Sequence, residues 1–277
     1  MKYNKQISVI LGLTLLAGVL RPAIAMAATS PTLGAAGSYS VLGHTTVTNT
    51  GATIMPGDLG IDTGGAPVGF PPGSVGPPGT VRNAGDSLLA QNANTAAFTT
   101  LDQGCDTTYA GTKDLVASNL VAGVYCAGAF QLSGTLTLSG TGVWIFKSAS
   151  TLITTSTANV VGGDPCNVWW RQVSSTTLGT NTQLTGNVLS LASITLQTGA
   201  SLNGRALAQT GAVTLDNNTI TGSTCLGAPT FSTTTTNVGL PNTGVGPHSN
   251  ARYIMAPTVL LVSFVGLYLV RKKRTLL

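Results

Sequence analysis

Apolar and polar residues alternate in short runs along most of the chain, as in Ser40-Val41-Leu42-Gly43 and Thr46-Val47-Thr48-Asn49. Period-2 alternation bounded by Gly, Asn and Asp predicts half-buried β-strands. From Leu132 to Cys225 a longer period is added. One phrase occurs as Thr151-Leu152-Ile153-Thr154, Thr177-Leu178-Gly179-Thr180, Thr195-Leu196-Gln197-Thr198 and Thr214-Leu215-Asp216-Asn217, and Gly186, Gly204 and Gly222 echo it at eighteen-residue spacing. A fixed repeat of short strands and turns predicts a solenoid. Neighbours along a strand point to opposite faces, so the Leu of each phrase is directed into a core and the Thr before it to the surface. Stacked coils would rule those threonines into a column on one flat face. The fourth residue of each phrase reaches that face only if the strand bends at its end.

The alternation is interrupted in three places. Gly64 to Gly79 is dense in Gly and Pro and reads as loop. Residues 82–103 are Ala-rich, with Leu88, Leu89, Ala93, Ala96, Ala97 and Leu101. They predict one amphipathic helix stopped by Gly104, packed along a β surface. Residues 104–126 read as an irregular segment that caps an open solenoid end, where core and strand edges would otherwise be exposed. Val143-Trp144-Ile145-Phe146 and Val168-Trp169-Trp170 supply the bulky core, and Leu189 to Ala192 and Ala206 to Ala208 the remaining inner faces.

Both ends of the chain differ from the body. Residues 1–27 have a short basic start, an apolar run from Ile7 to Leu20, and small-x-small sites at Ala23-Ile24-Ala25 and Ala25-Met26-Ala27, the pattern of a cleaved signal peptide. An uncleaved N-terminal anchor is the alternative. The body, residues 28–227, is followed by a Ser/Thr-rich stalk at 228–239. Residues 240–277 hold Leu240-Pro241-Asn242-Thr243-Gly244, a near-spanning apolar segment at 254–270, and Arg271-Lys272-Lys273-Arg274. The three parts in this order resemble the wall-sorting signal read by sortases of Gram-positive-type bacteria. The resemblance implies cleavage between Thr243 and Gly244 and attachment of Thr243 to peptidoglycan, with membrane contact only before sorting. A plain C-terminal membrane anchor is the alternative.

Charge narrows the function classes. The formal +5 comes from the two ends; between Ala28 and Thr243 five basic residues face eight aspartates, leaving the body near −3. There is no basic stripe for nucleic acid. Glu is absent and the body has one histidine, His44, so the convergent acids and bases of a carbohydrate-cleaving β-helix enzyme are missing. We read the protein as not an enzyme and as needing no cofactor. His44 reads as an ordinary strand or turn residue. Asp58 and Asp62 read as turn formers, with a weak Ca²⁺ site as the alternative. Export makes Cys105, Cys126, Cys166 and Cys225 candidates for two disulfides, and four cysteines allow three pairings. Cys105–Cys126 would staple the cap, leaving Cys166 and Cys225 for the second bridge.

Several stretches in order resemble the large microbial ice-binding protein family with a discontinuous β-helix. They are Leu33 to Thr53, Asn49-Thr50-Gly51 with Gly57-Asp58-Leu59-Gly60, Gly69-Phe70-Pro71-Pro72-Gly73, the helix, Gly123-Val124-Tyr125, Asn167-Val168-Trp169-Trp170, and Asn203-Gly204-Arg205-Ala206-Leu207-Ala208 leading into Thr214 to Ile220. The resemblance covers residues 30 to 226. It implies a right-handed three-faced β-helix with the long helix alongside. The N-terminal strands would complete the stack after the C-terminal ones, and a cap loop is held by Cys105 and Cys126. It implies adsorption to ice crystals through a flat Thr-rich face; from the repeated phrases we assign that face to Thr151, Thr154, Thr177, Thr180, Thr195, Thr198, Thr214 and Asn217, and we expect a monomer. The family motif has a small residue second, where these phrases have Leu. An adhesin or structural surface module of the same fold is the alternative function.

Overall fold

In the computed structural model, which describes residues 27–222, the alternating runs pair in parallel into three sheets of eight, seven and eight strands. We call them faces A, B and C. Each coil contributes one strand to each face, except that the top coil meets face B only through the Thr48–Val68 bridge. Face A runs in the order Asp58–Ile61, Tyr39–Gly43, Ala206–Ala208, Asn187–Ser190, Val168–Gln172, Trp144–Ser148, Gly123–Ala127, Thr107–Thr108. Stack order departs from chain order at one joint. The N-terminal strand Tyr39–Gly43 pairs with Ala206–Ala208, with Val41 opposite Ala206 and Leu42 opposite Leu207. Arg205 lies at this joint, fully buried, and its guanidinium donates to the Gly37 carbonyl and to Asn187 Oδ1 at 2.7–3.1 Å. Burial pulls its pKa down to about 10, which leaves it charged at neutral pH.

The core inside the three faces is aliphatic above and aromatic below. Phe146 stacks on Trp170 at 4.2 Å between ring centroids, and Tyr125 and Phe130 pack on the other sides of Phe146. Trp144 and Trp170 are buried with their indole N–H groups donating to the Leu120 and Thr185 carbonyls. The four phrase leucines, Leu152, Leu178, Leu196 and Leu215, all point into this core. Ile145, Trp169, Leu189 and Leu207, expected inside, project instead from the outer side of face A into a second core beneath the helix.

That helix, α1, spans Ala84–Thr100, with Asn83 capping its first turn through the Asp86 N–H. It is shorter than the expected 82–103, and although Ala97 and Leu101 are buried as expected, the rest of its buried side is different. Leu88 and Leu89 face solvent, whereas Ser87, Ala90, Gln91, Asn94, Ala97 and Phe98 face the sheet. Of the polar members, Gln91 reaches the strand ends, donating to the Ala208 and Gln209 carbonyls, and it accepts from Asn94. Closest approach falls at Gly60, where a Cβ would stand 2.3 Å from Ser87 Oγ. Cations hold the C-terminal end, as the helix dipole favours. Arg171 donates to the Phe98 carbonyl and lies over its ring, and Lys147 reaches the Gln103 carbonyl and Asp102.

Residues 104–126 cap the stack as a complete coil rather than an irregular segment. Thr107–Thr108, Thr112–Asp114 and Asn119–Leu120 are the last strands of faces A, B and C. Such short edge strands offer little ladder to a second chain. The Cys105–Cys126 disulfide ties this coil to the next strand of face A. Cys166 is also disulfide-bonded, and Cys225 lies outside the described residues. At the opposite end, the Gly64 to Gly79 segment is loop except for Ser74–Val75, which pairs with Ile54–Met55, and a bridge from Val68 to Thr48. The leader up to residue 26, the stalk, the sorting motif and the 254–270 segment also lie outside the described residues. Among the described residues no helix is long and apolar enough to cross a membrane.

Candidate functional site

Face A is covered by α1. Among the described residues no helix covers face B, which carries most of the threonine phrases. Its strands alternate cleanly: in Val213–Asp216, Val213 and Leu215 are buried and Thr214 is exposed, and Ile194–Leu196 and Thr176–Leu178 repeat this with Thr195 and Thr177 outward. The registers put Thr177 opposite Thr195 and Thr195 opposite Thr214. Thr48, from the N-terminal strand Val47–Thr50, stands opposite Thr214 and completes a column of four threonines on consecutive coils. With parallel strands about 4.8 Å apart, the column is about 14 Å long. Thr48 was not among the expected residues, because nothing local shows that its strand joins the stack beside residue 214.

Below Thr177 the column changes character. Leu152 pairs with Thr176 and Ile153 with Thr177, so the Thr151 phrase is displaced by two residues from the others. Ile153, about half exposed, takes the next place, followed by Gln131 and Asp114. Thr151 falls in the neighbouring outward column, whose ladder runs on through Ser175, Ser193, Ala212 and Thr46.

The fourth residues of the phrases diverge. Thr154 is buried, and its hydroxyl meets Thr182 Oγ1 at 2.7 Å and accepts the Gly179 N–H at 2.8 Å. It is removed from the surface set: alternation beyond outward-facing Ile153 turns it inward, where it satisfies buried backbone. Thr180 and Thr198 do emerge, because the chain bends at the corner between faces B and C. Their carbonyls take ladder hydrogen bonds from Thr157 and Asn181, in line with the Asp216 and Thr50 carbonyls, which accept from Gly199 and Asn217. Thr180, Thr198, Asp216 and Thr50 thus form a rim column on adjacent coils. One residue further, the corner takes left-handed backbone at Thr157, Asn181, Gly199, Asn217 and Gly51, with φ between 51° and 76°. Asn217 is exposed there, at the turn toward face C.

The residues weighed for chemistry have local partners. His44 Nδ1 lies 2.9 Å from Asp62 Oδ1 in the turn after Tyr39–Gly43. Asp58 accepts from Thr80 N–H and pairs with Arg82 at 2.8 Å. Among the described residues no three His, Cys, Asp or Glu side chains gather as a metal site.

A discontinuous three-faced β-solenoid, braced on one face by a helix and presenting a threonine column on another, is the class this chain defines. Its sequence matches the family described as Ice-binding-like over residues 41–221, and the chain belongs to that family. A relative from Nostoc sp. (strain HG1), named an ice-binding protein, is 39% identical over 79% of this chain and 84% of its own. The solved ice-binding protein of the Antarctic ascomycete Antarctomyces psychrotrophicus superposes with a TM-score of 0.66 at 39% identity, over 70% of this chain and 98% of that one. An ice-binding protein from an Antarctic biological consortium gives a TM-score of 0.66 at 34% identity, over 73% and 96%.

Proposed function

We propose that this protein adsorbs to ice through the upper part of face B. The contact centres on Thr48, Thr214, Thr195 and Thr177, with Thr180, Thr198 and Thr50 along one rim, Asn217 at the corner beyond, and Thr151 with Ser175 and Ser193 along the other side. The carrying observation is the in-register column of four threonines on consecutive coils. Ice is recognised by holding water at lattice-like intervals, which requires a rigid, flat and repetitive surface. The coil spacing of about 4.8 Å lies close to an oxygen repeat in ice. Each threonine offers a hydroxyl to bond water and a methyl to confine it, on a side chain stiff at χ1. The names of the relatives support the same reading.

The sequence ends extend the proposal. The leader exports the protein, sortase joins Thr243 of Leu240-Pro241-Asn242-Thr243-Gly244 to peptidoglycan, and the monomeric domain faces outward at the cell wall. Attached there, it would hold the cell to ice. Thr243→Ala should move the protein from wall to membrane or medium, and unchanged wall attachment would point to another anchor.

The decisive test is Thr195→Tyr in the purified domain. A ring standing above the plane should abolish most thermal hysteresis and ice-crystal shaping without moving the melting temperature. An inactive wild type would reject ice adsorption and leave the wall-displayed adhesin.

A further inference from the structure

We infer that Asp216 is an affinity-setting residue of this face, a negative charge within the rim column that restrains adsorption. The inference rests on the ice-contacting role of face B. Asp216 is opposite Thr50 in the register, and its carbonyl accepts the Gly199 N–H on the coil beyond Thr198. It is partly exposed, on the outward side of the strand. Around it on the upper coils the outward side chains are uncharged: Thr48, Thr195 and Thr214 in the central column, Thr50, Thr180 and Thr198 in the rim. Among the described residues no ion pair reaches Asp216.

Two physical consequences oppose ice contact. A carboxylate holds its own hydration strongly, and stripping or reorganising that shell costs far more than for a hydroxyl. Its waters all point hydrogens at it, an orientation ice does not repeat. The carboxylate also accepts the hydroxyl proton of Thr198 from the adjacent coil. A threonine hydroxyl is otherwise free to turn and either donate or accept. Thr198 is therefore held as an acceptor only, and one rim position loses its freedom to match the ice surface. The backbone at Asp216 is secured separately, by its N–H to Asn218 Oδ1 at 2.6 Å, so removing the charge leaves the corner intact.

Asp216→Asn keeps an acceptor oxygen and removes the charge, Asp216→Thr continues the rim in threonine, and Asp216→Lys keeps a charge of opposite sign. Thermal hysteresis of each folded domain is compared at equal concentration, with Thr195→Tyr as the inactive control. The Asn and Thr variants should exceed wild type by about twofold, since relief of the charge is worth a fraction of its desolvation cost, and the Lys variant should not. Asn and Thr variants at or below wild type, or a Lys variant that also gains, would overturn the assignment while leaving face B as the ice surface. Hysteresis absent from wild type and all variants would instead reject the ice reading, and this inference with it.

Discussion

Faces A and B are built on the same coils yet treat their outward residues in opposite ways. Up the middle of face A run Cys126, Lys147, Arg171, Leu189, Leu207, Leu42 and Gly60; the corresponding column of face B reads Asp114, Gln131, Ile153, Thr177, Thr195, Thr214 and Thr48. Backbone pairing is equivalent, so the side chains alone decide what happens next. Three leucines in line cannot be left in water, and burying each is worth about 1.5–3 kcal/mol; α1 covers them. Threonines in line carry hydroxyls that stay hydrated, so face B needs no cover and remains free. A covered face stabilises the solenoid and an uncovered one is available for a partner. The Leu and Thr columns both give way in the lower coils, to helix-anchoring cations on face A and to Ile153, Gln131 and Asp114 on face B.

The sharpest way to break this division is a crossed pair of substitutions. Thr195→Tyr should remove nearly all thermal hysteresis and change stability by only about ±0.5 kcal/mol, as exposed sites do. Leu189→Ala should do the reverse, costing about 2–5 kcal/mol in denaturant unfolding with hysteresis retained at ice temperatures. If both variants lose hysteresis while still folded, the two faces are not independent. Next in size is Cys105–Cys126, which joins the capping coil to the covered face. Replacing both cysteines by Ser should lower stability by about 2–5 kcal/mol. The circular-dichroism β signal should persist in the cold, because the bridge closes an end and not the core; its disappearance would show that the last coil nucleates the stack.

Smaller effects separate inward from outward positions on a single strand of face B. Thr154→Val keeps the shape but leaves the Gly179 N–H without its acceptor, for a loss of about 1–3 kcal/mol and no change in hysteresis. A hysteresis loss without destabilisation would return Thr154 to the surface set. Ile153→Thr extends the column by one coil and should raise hysteresis slightly, with a stability change within about 0.5 kcal/mol. A decrease would mean that an exposed aliphatic group is itself part of the ice contact.

The amino-acid pattern predicted most of the strands, the helix and the inward leucines of the phrases, but it put Ile145, Trp169, Leu189 and Leu207 on the wrong side of face A. Alternation placed Leu152, Leu178, Leu196 and Leu215 inside, the Ala-rich stretch marked the helix, and the ordered motifs identified the family. Which residues meet on face B was settled by the stacking of the coils. Period-2 alternation records which side of its own strand a residue occupies, but not its partner on the next coil. That register depends on coil length: Ile153 and Thr177 are twenty-four residues apart in the chain, Thr177 and Thr195 eighteen, and Thr48 reaches Thr214 from the other end of the domain. The same limit applies to α1. Its hydrophobicity singled out Leu88 and Leu89, yet Ser87, Gln91 and Asn94 are buried, because Gly60 admits close approach and the strand-end carbonyls of Ala208 and Gln209 need donors. Those demands come from the sheet, and they exist only once the coils have stacked.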